Sequence, residues 1–168
     1  QVRSFYAERG YWDSKISLKN KIFDDKNSAV DLTVKVYEGE QRILSGVEII
    51  TFEDELQKKA QDYFEGILNK AINYSTLVEL EKKITQDYIN NGFNSVNIKV
   101  QTSEVEKSRL NKIPMKVKMH IDQGSRMLIS SIKVLGNKNL SPKTILFYSG
   151  LKLNDWCSPY YLSIVRSK

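Results

Sequence analysis

The sequence predicts an α+β fold made of tandem β-α-α-β-β modules, each with two helices on one face of a three-stranded mixed sheet. Three observations predict it. First, the chain repeats itself. Tyr6-Ala7-Glu8-Arg9-Gly10-Tyr11 answers to Tyr88-Ile89-Asn90-Asn91-Gly92-Phe93 at an offset of 82, and Val36-Tyr37-Glu38-Gly39 answers to Ile121-Asp122-Gln123-Gly124 at 85. A period near 85 exceeds the roughly 20–50 residues of solenoid repeats and suits a small domain. Second, within one period the apolar spacing passes in order through a strand, two helices and two strands. Third, Gly39 and Gly124 lie so close to the next first strand that no flexible linker separates the modules. The expected boundaries are residues 1–40, the end of one module; 41–124, a complete module; and 125–168, the start of a third.

The complete module justifies each element. Val47 to Phe52 is β-branched and follows Gly46, which suits the first strand. Glu53 to Glu65 places Leu56, Ala60, Tyr63 and Phe64 on one helical stripe, with acidic residues in the first turn and Gly66 beyond the last. Thr76-Leu77-Val78-Glu79 has the form of a capping box opening the second helix, and Leu77, Leu80, Ile84 and Tyr88 form its stripe. Gly92 supplies the left-handed residue that ends it. Val96, Ile98 and Val100 alternate with Asn97, Lys99 and Gln101. Ile113, Met115, Val117, Met119 and Ile121 alternate with Pro114, Lys116, Lys118, His120 and Asp122. Such alternation gives two strands with one buried face, joined by a polar loop from Thr102 to Lys112.

The flanking pieces follow the same template. Residues 1–39 supply the end of a second helix, a strand around Ile16 and Leu18, and a strand with Val30, Leu32, Val34 and Val36 facing inward. Residues 127–168 supply a first strand from Ile129 to Leu135, a helix from about Pro142 to Tyr148 capped by Ser141, and the start of another.

Composition excludes several classes. No run reaches the roughly 20 apolar residues of a membrane-spanning helix. Cys157 is the sole cysteine, so no internal disulfide forms. The net charge is +6, and it is uneven. Residues 1–39 hold seven basic and six acidic groups, residues 40–124 twelve and thirteen, and residues 125–168 seven basic groups against Asp155 alone. Arg126, Lys133, Lys138, Lys143, Lys152 and Arg166 form a candidate docking patch for an acidic partner or lipid headgroups, or a merely solvated face.

Chemistry-bearing clusters are not evident. His120 and Cys157 are single residues of their kinds, and a metal site needs three or four ligands. No glycine-rich phosphate loop occurs, and Glu53-Asp54-Glu55 suits a helix start, where carboxylates favour the dipole. A nucleic-acid-binding sheet face would cluster basic and aromatic side chains, whereas Val96, Ile98 and Val100 make that phase core. The expectation is a binding module with no catalytic residues, cofactor, metal or nucleic-acid partner.

Phe5-Tyr6-x-x-x-Gly10-Tyr11-Trp12-Asp13 and Glu38-Gly39-Glu40-Gln41-x-x-Leu44-Ser45-Gly46-Val47-Glu48 resemble POTRA domains of the BamA family of outer-membrane protein assembly factors. The likeness spans nearly the whole chain, in a register resembling the end of the third unit, the fourth, and the start of the fifth. Thr51-Phe52 stands where the third piece has Gly136-Asn137, the usual sequel to the first strand, and Asn94-Ser95 departs after the Gly-aromatic pair. The resemblance implies a periplasmic fragment, attached to the outer membrane through a carboxy-terminal barrel absent here. It further implies unfolded outer-membrane proteins and accessory lipoproteins as partners.

A small sheet has two edges whose unpaired N–H and C=O groups can accept an extended peptide as a further strand. The resemblance implies that each module's second strand is the exposed edge: Lys15, Ile16, Ser17, Leu18 and Lys19, and Val96, Asn97, Ile98, Lys99, Val100 and Gln101. The alternatives are solvated edges guarded by Lys15, Lys19 and Lys99, and a scaffold that docks partner proteins, as in a related translocation factor. Because residues 127–168 hold what residues 1–39 lack, the two pieces also suit exchange between chains in a swapped homo-oligomer.

Overall fold

The computed structural model describes residues 1–24, 29–52, 54–105, 111–159 and 162–163. Its elements run α1 (Val2–Glu8), β1 (Lys15–Asp24), β2 (Ala29–Tyr37), β3 (Gln41–Ile50), α2 (Asp54–Glu65), α3 (Tyr74–Asn90), β4 (Asn97–Glu104), β5 (Lys112–Asp122) and α4 (Pro142–Ser149). The architecture is α+β. β3, β5 and β4 form a three-stranded sheet in that order, and α2 and α3 pack against it. β1 and β2 form a separate antiparallel pair.

The sheet is mixed. Ser45 Oγ donates to the Met115 carbonyl at 3.0 Å, and Lys118 meets Glu48 at 3.1 Å. Both pairs are separated by 70 residues, so β3 and β5 advance together, as parallel strands do. β5 alternates strictly: Ile113, Met115, Val117, Met119 and Ile121 are buried while Lys116, His120 and Asp122 are exposed. This is the period-two pattern read as structure.

The chain forms two compact units. The first draws on residues 1–48, 61–80 and 100–118. Its core includes Leu44, Phe64, Ile72, Leu77, Ile113, Met115 and Val117. The second draws on residues 49–60, 81–99 and 119–168, with Ile49, Leu56, Ala60, Ile84, Tyr88, Phe93, Met119 and Ile121 buried.

Four expectations are corrected. The first strand spans Gln41–Ile50 instead of ending at Phe52, which is 93% exposed. α3 starts before Thr76, because Asn73 is its cap: the Asn73 carboxamide oxygen accepts from the Thr76 backbone N–H at 2.7 Å. Asparagine caps at least as well as threonine, and the earlier start adds residues to the helix.

Val30, Leu32, Val34 and Val36 do not face a core. They are 39–56% exposed, because among the described residues β1 and β2 have no layer over them. Finally, Ile129–Leu135 is not a strand. A strand exists only as a pairing: the bridge beside this segment joins Leu128 to Trp156, and within it only Ile129 bonds across, to Asn154 and Asp155. α4, whose bonds are local, forms as expected, with the Ser141 hydroxyl accepting from Thr144 N–H and Gly150 left-handed at its end. The expected helix beyond it falls mostly outside the described residues.

Candidate functional site: sheet edges and a repeated joint

β1 pairs with β2 along one side only, so its other side presents unpaired backbone groups among the described residues. Lys15, Ser17, Leu18 and Lys19 are exposed and Ile16 is half-buried. The register slips between Leu18 and Asn20, which leaves Lys19 as the extra residue of a bulge. β4 likewise ends the three-stranded order. Asn97, Lys99 and Gln101 are exposed, Ile98 and Val100 are half-buried, and Val96 lies just before the strand.

The basic residues divide. Lys133, Lys138, Lys143 and Lys152 are exposed, and Lys143 sits on α4. Arg166 lies outside the described residues. Arg126 is not an open surface charge. Its guanidinium stacks 3.5 Å from the Trp156 ring centre and 5.0 Å from that of Phe93, and its Nε donates to the Asn91 carbonyl at 2.7 Å.

That contact belongs to a device that occurs twice, once in each unit. In the first, the Gly10 carbonyl accepts from Arg42 N–H at 2.8 Å, and the Gln41 carboxamide donates to the Arg9 carbonyl at 2.9 Å. Ile72 N–H donates to the Arg42 carbonyl at 3.0 Å, and Asn69 N–H to that of Leu44 at 2.7 Å. In the second, Gly92 accepts from Met127 at 3.0 Å while Arg126 takes the part of Gln41. Cys157 N–H donates to Met127 at 2.8 Å, and Asn154 to Ile129 at 2.9 Å. Asn69 and Asn154 both adopt positive φ, at 62° and 68°. Each set ties the turn after a helix ending in glycine, the segment that follows Gly39 or Gly124, and the loop after the helix beyond it.

The glycines at these joints are required by geometry. Gly10 has φ +86°, and a Cβ there would meet the Arg42 carbonyl oxygen at 2.6 Å. Gly92 has φ +89°, and its Cβ would meet Trp156 Cβ at 3.0 Å.

The first joint also carries charge. Arg42, 12% exposed, bonds Asp13 at 2.7 Å and Glu104 at 3.1 Å and lies 4.8 Å from the Trp12 ring centre. Burial works against its cation, but hydrogen bonds to Asp13 and Glu104 outweigh this and raise its pKa above the ordinary guanidinium value. Trp12 Nε1 in turn donates to the Ile72 carbonyl at 3.0 Å. Nearby, a hydrogen bond with Glu38 raises the Tyr6 pKa. The equivalent Tyr88 hydroxyl meets Thr51 at 2.8 Å, which bonds Gln123, the counterpart of Glu38.

Sequence reading missed Arg42 and Trp12 as partners and took Arg126 for surface charge. The signal was present in the repeat: Gln41 and Arg126 are equivalent at an offset of 85, which marks position 126 as part of a joint. His120 is exposed and Cys157 half-buried. Among the described residues no group of three His, Cys, Asp or Glu side chains is placed to hold a metal ion. No helix among them is long and apolar enough to cross a membrane.

No family model matches the chain. It is 30% identical over 167 residues to a protein of Treponema pallidum (strain Nichols) named "Putative outer membrane protein assembly factor", matching over 92% of its own length. It spans 18% of the length of that relative. Among solved structures, Haemophilus influenzae BamA POTRA3-5 superposes with a TM-score of 0.53 at 18% identity, covering 99% of this chain and 64% of that one. The fold is therefore the POTRA fold, in tandem.

Proposed function

We propose that this chain is a periplasmic segment of a BamA-type outer-membrane protein assembly factor, and that its POTRA modules act as non-catalytic binding scaffolds. In this reading, unfolded outer-membrane proteins add as strands to the free edges of β1 and β4. The observation that carries it is the open side of both strands in modules of this fold. The relative's name supports the assembly setting. Main-chain pairing suits a binder of many sequences, because affinity comes from groups that every client has. The module boundaries at 40 and 124 are part of the same proposal, and the joints described above flank both.

Proline at Val100 or Thr102 tests it: Val105 N–H bonds the Pro114 carbonyl of β5, so the N–H groups of even-numbered β4 residues face outward, where proline removes a donor without breaking the ladder. Binding of an unfolded outer-membrane client should weaken while the far-ultraviolet circular dichroism stays unchanged. Unchanged binding in both variants would remove strand addition at β4.

A second reading, docking of accessory lipoproteins or anionic headgroups, is favoured by the exposed Lys133, Lys138, Lys143 and Lys152. It applies equally to a related translocation factor. Charge reversal of these four should abolish a salt-sensitive interaction, whereas strand addition should respond little to salt.

A further inference from the structure

An open groove of about 450 Å³ lies at the start of β1, lined by Arg3, Trp12, Asp13, Ser14, Lys15 and Ile16. Ser14 is 2% exposed, and its hydroxyl has no hydrogen-bond partner. Native structures rarely leave a buried hydroxyl unsatisfied, so such a group calls for an explanation. Arg3 and Lys15 are exposed and form no ion pair among the described residues. Asp13 does not neutralise them, because its carboxylate is held by Arg42 at 2.7 Å. The Trp12 indole N–H is committed to Ile72, so the ring serves as a wall.

We infer that this groove binds a peptide carboxylate and thereby sets the direction in which an extended chain adds to β1. The inference rests on the strand-addition reading above. An added strand running antiparallel to β1 brings its carboxy-terminal end beside Lys15, at the groove. A parallel strand brings its amino-terminal end there. Arg3 and Lys15 attract a carboxylate and repel an ammonium group, and the Ser14 hydroxyl supplies a further donor to an anion. Chain direction is thus read by charge at one end of the edge, while the edge itself reads only the backbone. The carboxylate has two sources, the chain terminus or an Asp or Glu side chain near it.

The test uses acetylated eight-residue peptides of alternating valine, threonine and serine. One ends in a free acid, one in an amide, and one in an amide with aspartate at the last position. Binding is read by Trp12 fluorescence in a Trp156→Phe background. The free acid should bind at least about tenfold tighter than the plain amide, the usual effect of a charge-assisted hydrogen bond. Arg3→Gln with Lys15→Gln should erase that difference. Ser14→Ala should reduce it without lowering the melting temperature, because the hydroxyl has no intramolecular bond to lose. If the aspartyl amide binds like the free acid, a side-chain carboxylate suffices. If it binds like the plain amide, the groove selects the chain terminus.

Lys19→Pro separates this inference from its premise, because Lys19 lies at the bulge, outside the paired register. Equal binding of free acid and plain amide, with both weakened by Lys19→Pro, would overturn the carboxylate site and leave strand addition standing. Peptides that fail to bind, or bind regardless of Lys19→Pro, would overturn both.

Discussion

Replacing Gly10 with alanine should cost far more than the same replacement at Gly39, although both residues have positive φ, at +86° and +77°. A left-handed backbone costs an L-residue roughly 1–2 kcal/mol, and this applies at both positions. At Gly39 the new methyl would sit 3.5 Å from Asp13 Cβ, an ordinary contact. At Gly10 it would sit 2.6 Å from the Arg42 carbonyl oxygen. That oxygen cannot yield freely, because it accepts from Ile72 N–H while Arg42 N–H donates to Gly10. Relief therefore breaks one or both bonds, at about 0.5–1.5 kcal/mol each. The expected losses are about 1–2 kcal/mol for Gly39→Ala and about 1.5–5 kcal/mol for Gly10→Ala, the difference being the broken bonds. Urea unfolding followed by Trp12 emission in a Trp156→Phe background measures both, since Trp12 lies in the same joint. Losses that agree within about 0.5 kcal/mol, the least that one lost hydrogen bond should cost, would refute the claim that close approach demands glycine here.

Other perturbations follow from the same geometry. Arg42→Met should destabilise by about 1–2 kcal/mol through loss of the ring contact and of the hydrogen bonds to Asp13 and Glu104. The exposure of Asp13 and Glu104 to solvent keeps that loss moderate, and a melt in high salt should change little. Asn73→Ala should cost about 1 kcal/mol in chemical denaturation as the α3 cap is lost, and Asn73→Asp should restore most of it. Arg126→Ala should lower stability and red-shift Trp156 emission, whereas Lys138→Glu should leave both unchanged. If residues 125–159 of one copy cover the exposed β1–β2 face of another, light scattering at high concentration should give a dimer mass; a monomer mass would exclude the exchange.

The residues that were legible in the sequence are those whose structure is decided locally or by burial of a regular face. The β5 alternation from Ile113 to Ile121 and the α3 stripe from Leu77 to Tyr88 appear with the expected phase. So does α4, because Ser141, Pro142 and Gly150 specify a helix by themselves. Ile129 to Leu135 has strand composition but lacks the pairing that would make it a strand, and pairing is not a property of the segment. The apolar phase of Val30 to Val36 was readable, but its burial depended on a covering layer. For the candidate site, the positions of β1 and β4 at sheet edges followed from the resemblance. The roles of Trp12, Arg42 and Arg126 did not, because residues far apart in sequence meet there and composition gives no sign of the meeting.

The joint's wiring has a consequence for how such chains diverge. Its main-chain bonds recur in both copies, and its side-chain bonds to the equivalent carbonyls come from different residue types, so side chains can change while the connection survives. Trp12 and Asn94 hold equivalent places, as do Gln41 and Arg126, yet both copies keep the same sequence of donors and acceptors. A duplicated module therefore inherits a working attachment to its neighbour at the moment of duplication, and mutation can then vary its surface without unmaking the join. Arrays of this kind can lengthen, shorten or trade members between lineages, with glycine at positions 10 and 92 as the main letters that must be retained.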